Sequence, residues 1–496
     1  MNAQDQEQLK SKGISAQQVE KQLSQFKSGF PYADIVRPAT CGDGIARIDD
    51  AEAARLQSAY DAELAGGLDV LKFIPASGAA TRMFKNMYEY KNADAQKQAQ
   101  MDGEKPYKEF FERLGDFAFG SEITRRNPAG HAQVIDLMLD AEGLGYGQKP
   151  KGVILFHNYP DGPRTAAEEH IMEGLAYARN GNKVRLHYTV SPAHLDLFRA
   201  AVADRVARIS KAEGVDIEIT YSFQKPSTDT VAATMDNEPF RDADGRLVFR
   251  PAGHGALIEN LNDLEADLIF IKNIDNVAQE HMLATTAKYK KVLAGYAVSM
   301  KKRIDTLLRG LATPTAASIA DAQAFVTGEM KAALPSGFDA ADVAGKAETL
   351  RTILDRPLRV CGMVKNEGEP GGGPFWVKGS DGRTTLQVVE SAQIDPNDTG
   401  KMQIMKQSTH FNPVDLVCCT RDWQGRKYDL TKFVDHNAGF ISFKSLNGKD
   451  LKAMELPGLW NGAMAYWNTF FVEVPIETFN PVKTVMDLLR KQHQPK

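Results

Sequence analysis

The chain has 496 residues, too many for one small core, and a composition (43% hydrophobic, 25% charged) that excludes a disordered or fibrous protein. A formal charge of −4 and a pI near 6.2 give no electrostatic case for a nucleic-acid or membrane partner, so an anion site has to be a local basic pocket. Residues 1–27 lack the apolar centre of a secretion signal, no apolar run is long enough to span a bilayer, and Cys41, Cys361, Cys418 and Cys419 form no C-x-x-C pattern, so a soluble cytoplasmic protein with reduced thiols is expected.

Residues 1–66 read as a polar helical extension, clearest at 51–64. From 68 to 277 strands and helices alternate. The segments 68–75, 152–157, 183–190, 216–223 and 267–274 are predicted strands, and 165–179, 193–211 and 256–264 predicted helices. Such alternation implies an α/β fold with a mainly parallel sheet, whose ligands bind beyond the carboxyl ends of the strands. Residues 92–148, charged with an apolar pattern around 110–119, read as a helical insertion. A long helical region is predicted at 277–311, continued by the Ala-rich stretch 313–354. From 356 to 496 the pattern turns strand-rich, with Gly-Pro punctuation at 369–374. The expected division is 1–66, an α/β core at 67–355, and a C-terminal region at 356–496 that completes the site.

Chemistry concentrates where the first predicted strand stops at Pro75. The loop Ala76-Ser77-Gly78-Ala79-Ala80-Thr81 follows, and Arg82 opens a helix-like segment. Small residues let backbone N–H groups approach a ligand, and a helix start adds its positive end; Arg82 and Lys85 suit the place to phosphate. Tight packing alone also favours such a loop. The G-x-x-x-x-G-K-[ST] pattern is absent, and Gly78 is the loop's sole glycine, so neither the Walker loop nor the dinucleotide fingerprint is present.

Further polar segments are Lys149-Pro-Lys151-Gly before a predicted strand, Gln224-Lys-Pro-Ser-Thr-Asp229, Arg250-Pro-Ala-Gly253-His254-Gly255-Ala-Leu257, Asn273-Ile-Asp275-Asn276 and Phe479-Asn-Pro-Val-Lys483. Residues 224–229 also suit a plain turn, and Asp275 at a strand end suits either a metal or a helix cap. Lys483, at a predicted helix start, is electrostatically out of place unless a phosphate is close. No nucleophile–His–acid set emerges. Cys418, Cys419, Trp460 and Trp467 read as packing.

The loop followed by Pro150-Lys151 resembles the G-x-G-T-R-[LM] … P-K signature of sugar-1-phosphate nucleotidyltransferases, with alanines at several glycine positions. Residues 250–257 resemble the P-x-G-[NH]-G-[GA]-L segment of UDP-sugar pyrophosphorylases, and 479–489 their F-x-P-V-K-x-x-x-D-L-L segment. The whole chain is also similar to a bacterial family of unknown function. The resemblance implies a nucleotide-diphospho-sugar transferase (GT-A type) fold that joins an NTP, UTP first, to a sugar-1-phosphate with release of pyrophosphate. It implies nucleotide contacts from Ala76–Thr81, Gln224, Gly253, His254 and Gly255, catalytic roles for Arg82, Lys151 and Lys483, and Mg²⁺ on Asp275. The alternatives on the same scaffold are a catalytically silent nucleotide-sugar-binding protein and a glycosyltransferase; the latter usually carries Asp-x-Asp, where this chain has one carboxylate.

Overall fold

The computed structural model describes residues 1–368, 371–379, 382–446 and 448–496; part of the punctuation expected at 369–374, Glu369 and Pro370, lies outside them. The chain packs as two compact units, each assembled from separate stretches: Met1–Asp69, Gln224–Ile269 and Val292–Val474 in the first, Val70–Phe223, Phe270–Lys291 and Pro475–Lys496 in the second. These units cut across the three consecutive regions expected from the sequence.

In the second unit, Lys183–Thr189 runs parallel to Val70–Pro75 on one side and to Asp216–Ser222 on the other, with Lys72 opposite Leu186 and Val184 opposite Ile217. Residues 270–272, the part of the strand Leu268–Lys272 that belongs to this unit, flank Val70–Pro75 on its other edge. Helices Ala166–Tyr177 and Leu195–Glu213 make the crossovers that parallel pairing demands. The first starts at Thr165, whose hydroxyl accepts the Glu168 N–H while the Glu168 carboxylate accepts the Thr165 N–H, a reciprocal cap.

The strand expected at 152–157 is mostly something else. Lys151–Val153 forms a 3₁₀ turn, and Leu155–His157 pairs, among the described residues, with Arg164–Thr165 alone, antiparallel. Gly152 shows the cause: a Cβ there would lie 2.5 Å from the Phe198 ring and 3.2 Å from Ile274, so the backbone is pressed against the core as a turn. The helix expected at 256–264 divides into a 3₁₀ turn, His254–Leu257, and the short helix Ile258–Asn262. The insertion at 92–148 is helical as expected, with Ala95–Met101, Lys105–Glu112, Gly120–Thr124 and His131–Leu139. Its Phe110, Phe117, Phe119 and Met138 share one core with Ile74 and Phe84 of the strand–loop region and with Val482, Val485 and Leu488 near the C-terminus.

In the first unit, Leu358–Lys365 is parallel to Asn468–Glu473 and antiparallel to Asp415–Cys419 and His410–Phe411. Gly44–Ala46 extends this order beside Asn468–Glu473, and Thr40–Cys41 pairs with Gly44–Ala46. The first 66 residues are therefore not purely helical. Besides Ala3–Lys12, Ala16–Ser28 and Asp50–Ala65 they supply three strands of two to four residues, too short for alternation to be read. Leu283–Ala312 forms the long helix expected at 277–311. Among the described residues no helix is long and apolar enough to cross a membrane. Cys361, Cys418 and Cys419 are buried and Cys41 is half-buried, and none of the four is in a disulfide.

Candidate active site

Leu268–Lys272 ends in Asn273-Ile-Asp-Asn276, and residues 480–483 are drawn across that end. Asn276 Oδ1 accepts the Asn480 N–H at 2.8 Å, and the Asp275 carbonyl accepts the Val482 N–H at 3.0 Å. Two lysines, 124 and 208 residues from Asp275 in sequence, then meet on one of its oxygens. Lys151 Nζ donates to Asp275 Oδ2 at 2.9 Å and to the Val482 carbonyl at 2.8 Å; Lys483 Nζ donates to the same Oδ2 at 3.1 Å. The Lys151 and Asp275 side chains are 14% and 10% exposed, that of Lys483 55%. Two ammonium groups against one carboxylate leave a net positive charge at a strand's carboxyl end, which suits an anion.

Burial pushes the Asp275 carboxyl up, but the Lys151 and Lys483 ammonium groups outweigh it and hold it below the ordinary 3.8. A folded-state value below the unfolded one means this pairing contributes fully above about pH 4 and is lost as pH falls through the lowered value. Asp275 Oδ1 accepts no hydrogen bond among the described residues, which leaves one hard oxygen able to meet Mg²⁺. Asp275 caps no helix: the next one, Leu283–Ala312, begins eight residues later, after a turn whose cap is Gln279. Lys483 does precede a helical turn, Val485–Leu489, and its charge there is answered by Asp275. The turn itself is held by Asp487, whose Oδ2 accepts the Lys483 and Thr484 N–H groups.

The loop after Pro75 is zipped to the segment carrying Lys151. The Ala80 N–H donates to the Lys149 carbonyl at 3.3 Å and the Lys151 N–H to the Gly78 carbonyl at 3.4 Å, while the Ala76 N–H is taken by the Thr189 carbonyl at 2.9 Å. Of the Ser77–Thr81 amides expected to face phosphate, that of Ala80 is therefore spent, as is that of the adjoining Ala76. Ser77, Gly78 and Ala79 are exposed, and their N–H groups make no hydrogen bond among the described residues. The expected helix start also shifts. Thr81 and Arg82 lie in the 3₁₀ turn Ala80–Arg82, and a seven-residue helix begins at Lys85, because Met83 and Phe84 turn into the core and the Met83 carbonyl accepts the Val485 N–H. Arg82 is exposed and makes no ion pair or hydrogen bond among the described residues, whereas Lys85 pairs with Glu89. The alanines cost the loop no strain. Ala79 sits at φ −67°, and a Cβ on Gly78 would meet nothing within 4 Å.

Beneath this site lies a buried charge cluster that the sequence reading missed. Glu173 takes Lys72 Nζ on Oε2 at 2.8 Å and Lys272 Nζ on Oε1 at 2.6 Å. Lys72 also donates to the His170 carbonyl, and His170 Nε2 lies 3.2 Å from the Ile274 carbonyl, one residue before Asp275. Burial pulls Lys72 down to about 7 against the opposing pull of Glu173, while the two lysines hold Glu173 well below the carboxylate range despite its burial. Because the unfolded lysine binds a proton up to about 10.5, the Lys72 contribution to stability rises as pH increases from about 7 toward that value. The signal was present: Lys72 interrupts one apolar strand and Lys272 ends another, both at buried positions where an unpaired charge would not be tolerated. The end of the chain is pinned to the same helix through Glu169, His157 and His493, with 2.8 Å between each pair.

Gln224, Gly253, His254 and Gly255 belong to the first unit. The His254 ring stacks on Trp460 at 4.1 Å with the planes 7° apart, so the packing of Trp460 includes holding that ring. His254 Nδ1 accepts the Leu459 N–H at 3.0 Å, and its Nε2 lies 3.6 Å from Glu390 Oε1. A Cβ on Gly255 would stand 2.1 Å from the Pro457 carbonyl oxygen, so local packing by itself requires glycine there. Gln224 Nε2 is buried with no partner among the described residues. This unit also holds a cavity of about 320 Å³ lined by Tyr32, Gln387, Asn437, Asn461 and Tyr466 among others, but not by residues 253–255.

A family model described as "Domain of unknown function (DUF4301)" matches residues 2–494, and the chain belongs to that family. No curated protein matches it in sequence. Solved structures to which it is similar include a mutant UDP-glucose pyrophosphorylase from Leishmania major (14% identity, 99% of this chain and 79% of that one, TM-score 0.47). Another is the uridine diphosphate N-acetylglucosamine pyrophosphorylase from Trypanosoma brucei, crystallised with an inhibitor (12%, 95% and 74%, TM-score 0.47). A third is the UDP-glucose phosphorylase from Trypanosoma brucei (13%, 99% and 80%, TM-score 0.45).

Proposed function

We propose that this member of the DUF4301 family is a nucleotidyltransferase of the pyrophosphorylase type, joining an NTP, UTP first, to a sugar-1-phosphate with release of pyrophosphate. The observation that carries the reading is the meeting of Lys151 and Lys483 on one oxygen of Asp275 at the carboxyl end of a strand. The motif resemblance at 76–82, 150–151 and 479–489 supplies the reaction class and the GT-A type scaffold; the geometry supplies a site of the right charge.

A sugar-1-phosphate oxygen is ionised near neutral pH, so the attack needs no general base, and no nucleophile–base pair is required of the protein. The barrier is the crowding of negative charge as two phosphorylated reactants approach in line. Lys151, gripped by Asp275 and the Val482 carbonyl, is a cation fixed before substrate arrives, and such preorganised charge costs no reorganisation during reaction. Lys483, more exposed, can follow a phosphate oxygen, and the exposed amides of Ser77, Gly78 and Ala79, with Arg82, are the candidate cradle for the triphosphate. Mg²⁺ on Asp275 Oδ1 would neutralise phosphate charge as a Lewis acid; one carboxylate supplemented by substrate oxygens is an ordinary set for that ion.

The test is pyrophosphate release across a matrix of NTPs and sugar-1-phosphates, with Asp275→Asn alongside. At least one pair is expected to turn over, with Asp275→Asn lowering the rate about 100-fold or more, because the lysines lose their shared counter-charge and the metal its ligand. Binding without turnover of any pair would replace this reading by the silent nucleotide-sugar binder, which the committed amides of Ala76 and Ala80 favour. An unchanged rate in Asp275→Asn would remove the metal role.

A further inference from the structure

Three side chains of the first unit, none used by the reaction proposed above, converge on one point. Cys41 ends the strand Thr40–Cys41, Glu473 ends Asn468–Glu473, and His410 opens His410–Phe411. Strand pairing gathers them. Ile45 stands opposite both Cys41 and Phe471, Met363 opposite Glu473, and Lys365 opposite His410, so all three reach the same end of the sheet. Cys41 Sγ lies 3.9 Å from His410 Nε2, and that nitrogen 3.3 Å from Glu473 Oε1; the three atoms all fall within 4.8 Å of one another.

This is the wrong arrangement for a Cys–His–acid relay, which places thiol and carboxylate on opposite nitrogens of the imidazole. Here both face Nε2, while Nδ1 is engaged 2.8 Å from Thr409 Oγ1. A ring whose Nδ1–H is donated to a hydroxyl turns the lone pair of Nε2 toward the thiol and carboxylate, and the outer partner fixes that tautomer. Arg47 Nε binds Glu473 Oε2 at 2.9 Å and leaves Oε1 toward the other two ligands. Bond lengths of about 2.3 Å to sulfur and about 2.0–2.2 Å to nitrogen and oxygen at tetrahedral angles put S and N about 3.6 Å apart and N and O about 3.3 Å apart, close to what is found. His410 is buried while Cys41 and Glu473 are partly exposed, so an ion has a way in and a fourth position facing solvent.

We propose that Cys41, His410 and Glu473 bind one borderline-soft divalent transition metal, zinc foremost, with water as fourth ligand. Binding converts the Cys41 thiol to thiolate and releases its proton to solvent. The test strips the full-length protein with chelator and titrates it with Co²⁺, then Zn²⁺. One equivalent of Co²⁺ is expected to bind with a thiolate-to-metal charge-transfer band, which one equivalent of Zn²⁺ displaces. Cys41→Ser should abolish the band. Glu473→Gln should keep the band but weaken affinity about 100-fold or more, since loss of even an outer-shell partner costs about 10–100-fold. Circular dichroism of the metal-free variants checks their folding. Absence of the band in wild type, or its persistence in Cys41→Ser, overturns the proposal.

Discussion

Replacing Lys151 by alanine is expected to lower turnover of the best NTP and sugar-1-phosphate pair by about 100- to 1,000-fold, the scale for loss of one preorganised charge donor. The size of the effect follows from how the lysine is held. Its ammonium group is mostly shielded from water, bonded to Asp275 Oδ2 and the Val482 carbonyl, and its own backbone N–H is tied to the loop at Gly78. A charge fixed in partly excluded water acts at lower effective dielectric and pays no ordering entropy during reaction. Lys483→Ala is expected to cost distinctly less, because that side chain is half exposed and makes the longer contact with Asp275. A pyrophosphate-coupled assay on both variants, with circular dichroism for folding, makes the comparison. A loss in Lys151→Ala no larger than in Lys483→Ala would contradict preorganisation at Lys151.

The second large effect is on stability. Glu173→Gln is expected to destabilise the protein by about 3–5 kcal/mol, the usual consequence of removing one partner of a buried ion set. Glu173 answers Lys72 and Lys272 at once, both essentially without solvent access, and glutamine leaves two buried ammonium groups facing a neutral amide. Lys272→Met is expected to cost much less, since it removes one of two cations and keeps the Lys72–Glu173 pair. Urea midpoints read as free energies at a common slope decide between them. Equal losses would mean that the cluster acts through packing rather than charge.

The strands at 70–75 and 268–272 were legible as largely apolar runs, and those at 183–189 and 216–222 by apolar residues at alternate positions (Val184, Leu186, Tyr188; Ile217, Ile219, Tyr221). Asp275 was placed at its strand end for the same reason. Lys151 and Lys483 were singled out by the resemblance of Pro150-Lys151 and of 479–489 to nucleotidyltransferase motifs, and both lysines lie against Asp275. What stayed hidden depends on partners distant in sequence. The loop at 76–81 shows small residues, but whether an N–H is free depends on Lys149 and Thr189, whose carbonyls take the Ala80 and Ala76 amides. Lys72 and Lys272 needed Glu173, a residue on a helix with no local sign of its role. The strands at 35–46 are too short for any period, and the 3₁₀ turn at Lys151–Val153 is set by Phe198 pressing on Gly152.

Lys151, Lys483 and Asp275 are proposed as an anion site for a phosphorylated substrate. Calorimetric titration of the full-length protein with UTP, with and without Mg²⁺, tests it most directly, in parallel with Lys151→Ala and Lys483→Ala. The expected result is saturable binding to the wild type that weakens about tenfold or more in each variant, about 1.4 kcal/mol per lysine. UTP binding of equal strength in wild type and both variants would contradict the claim.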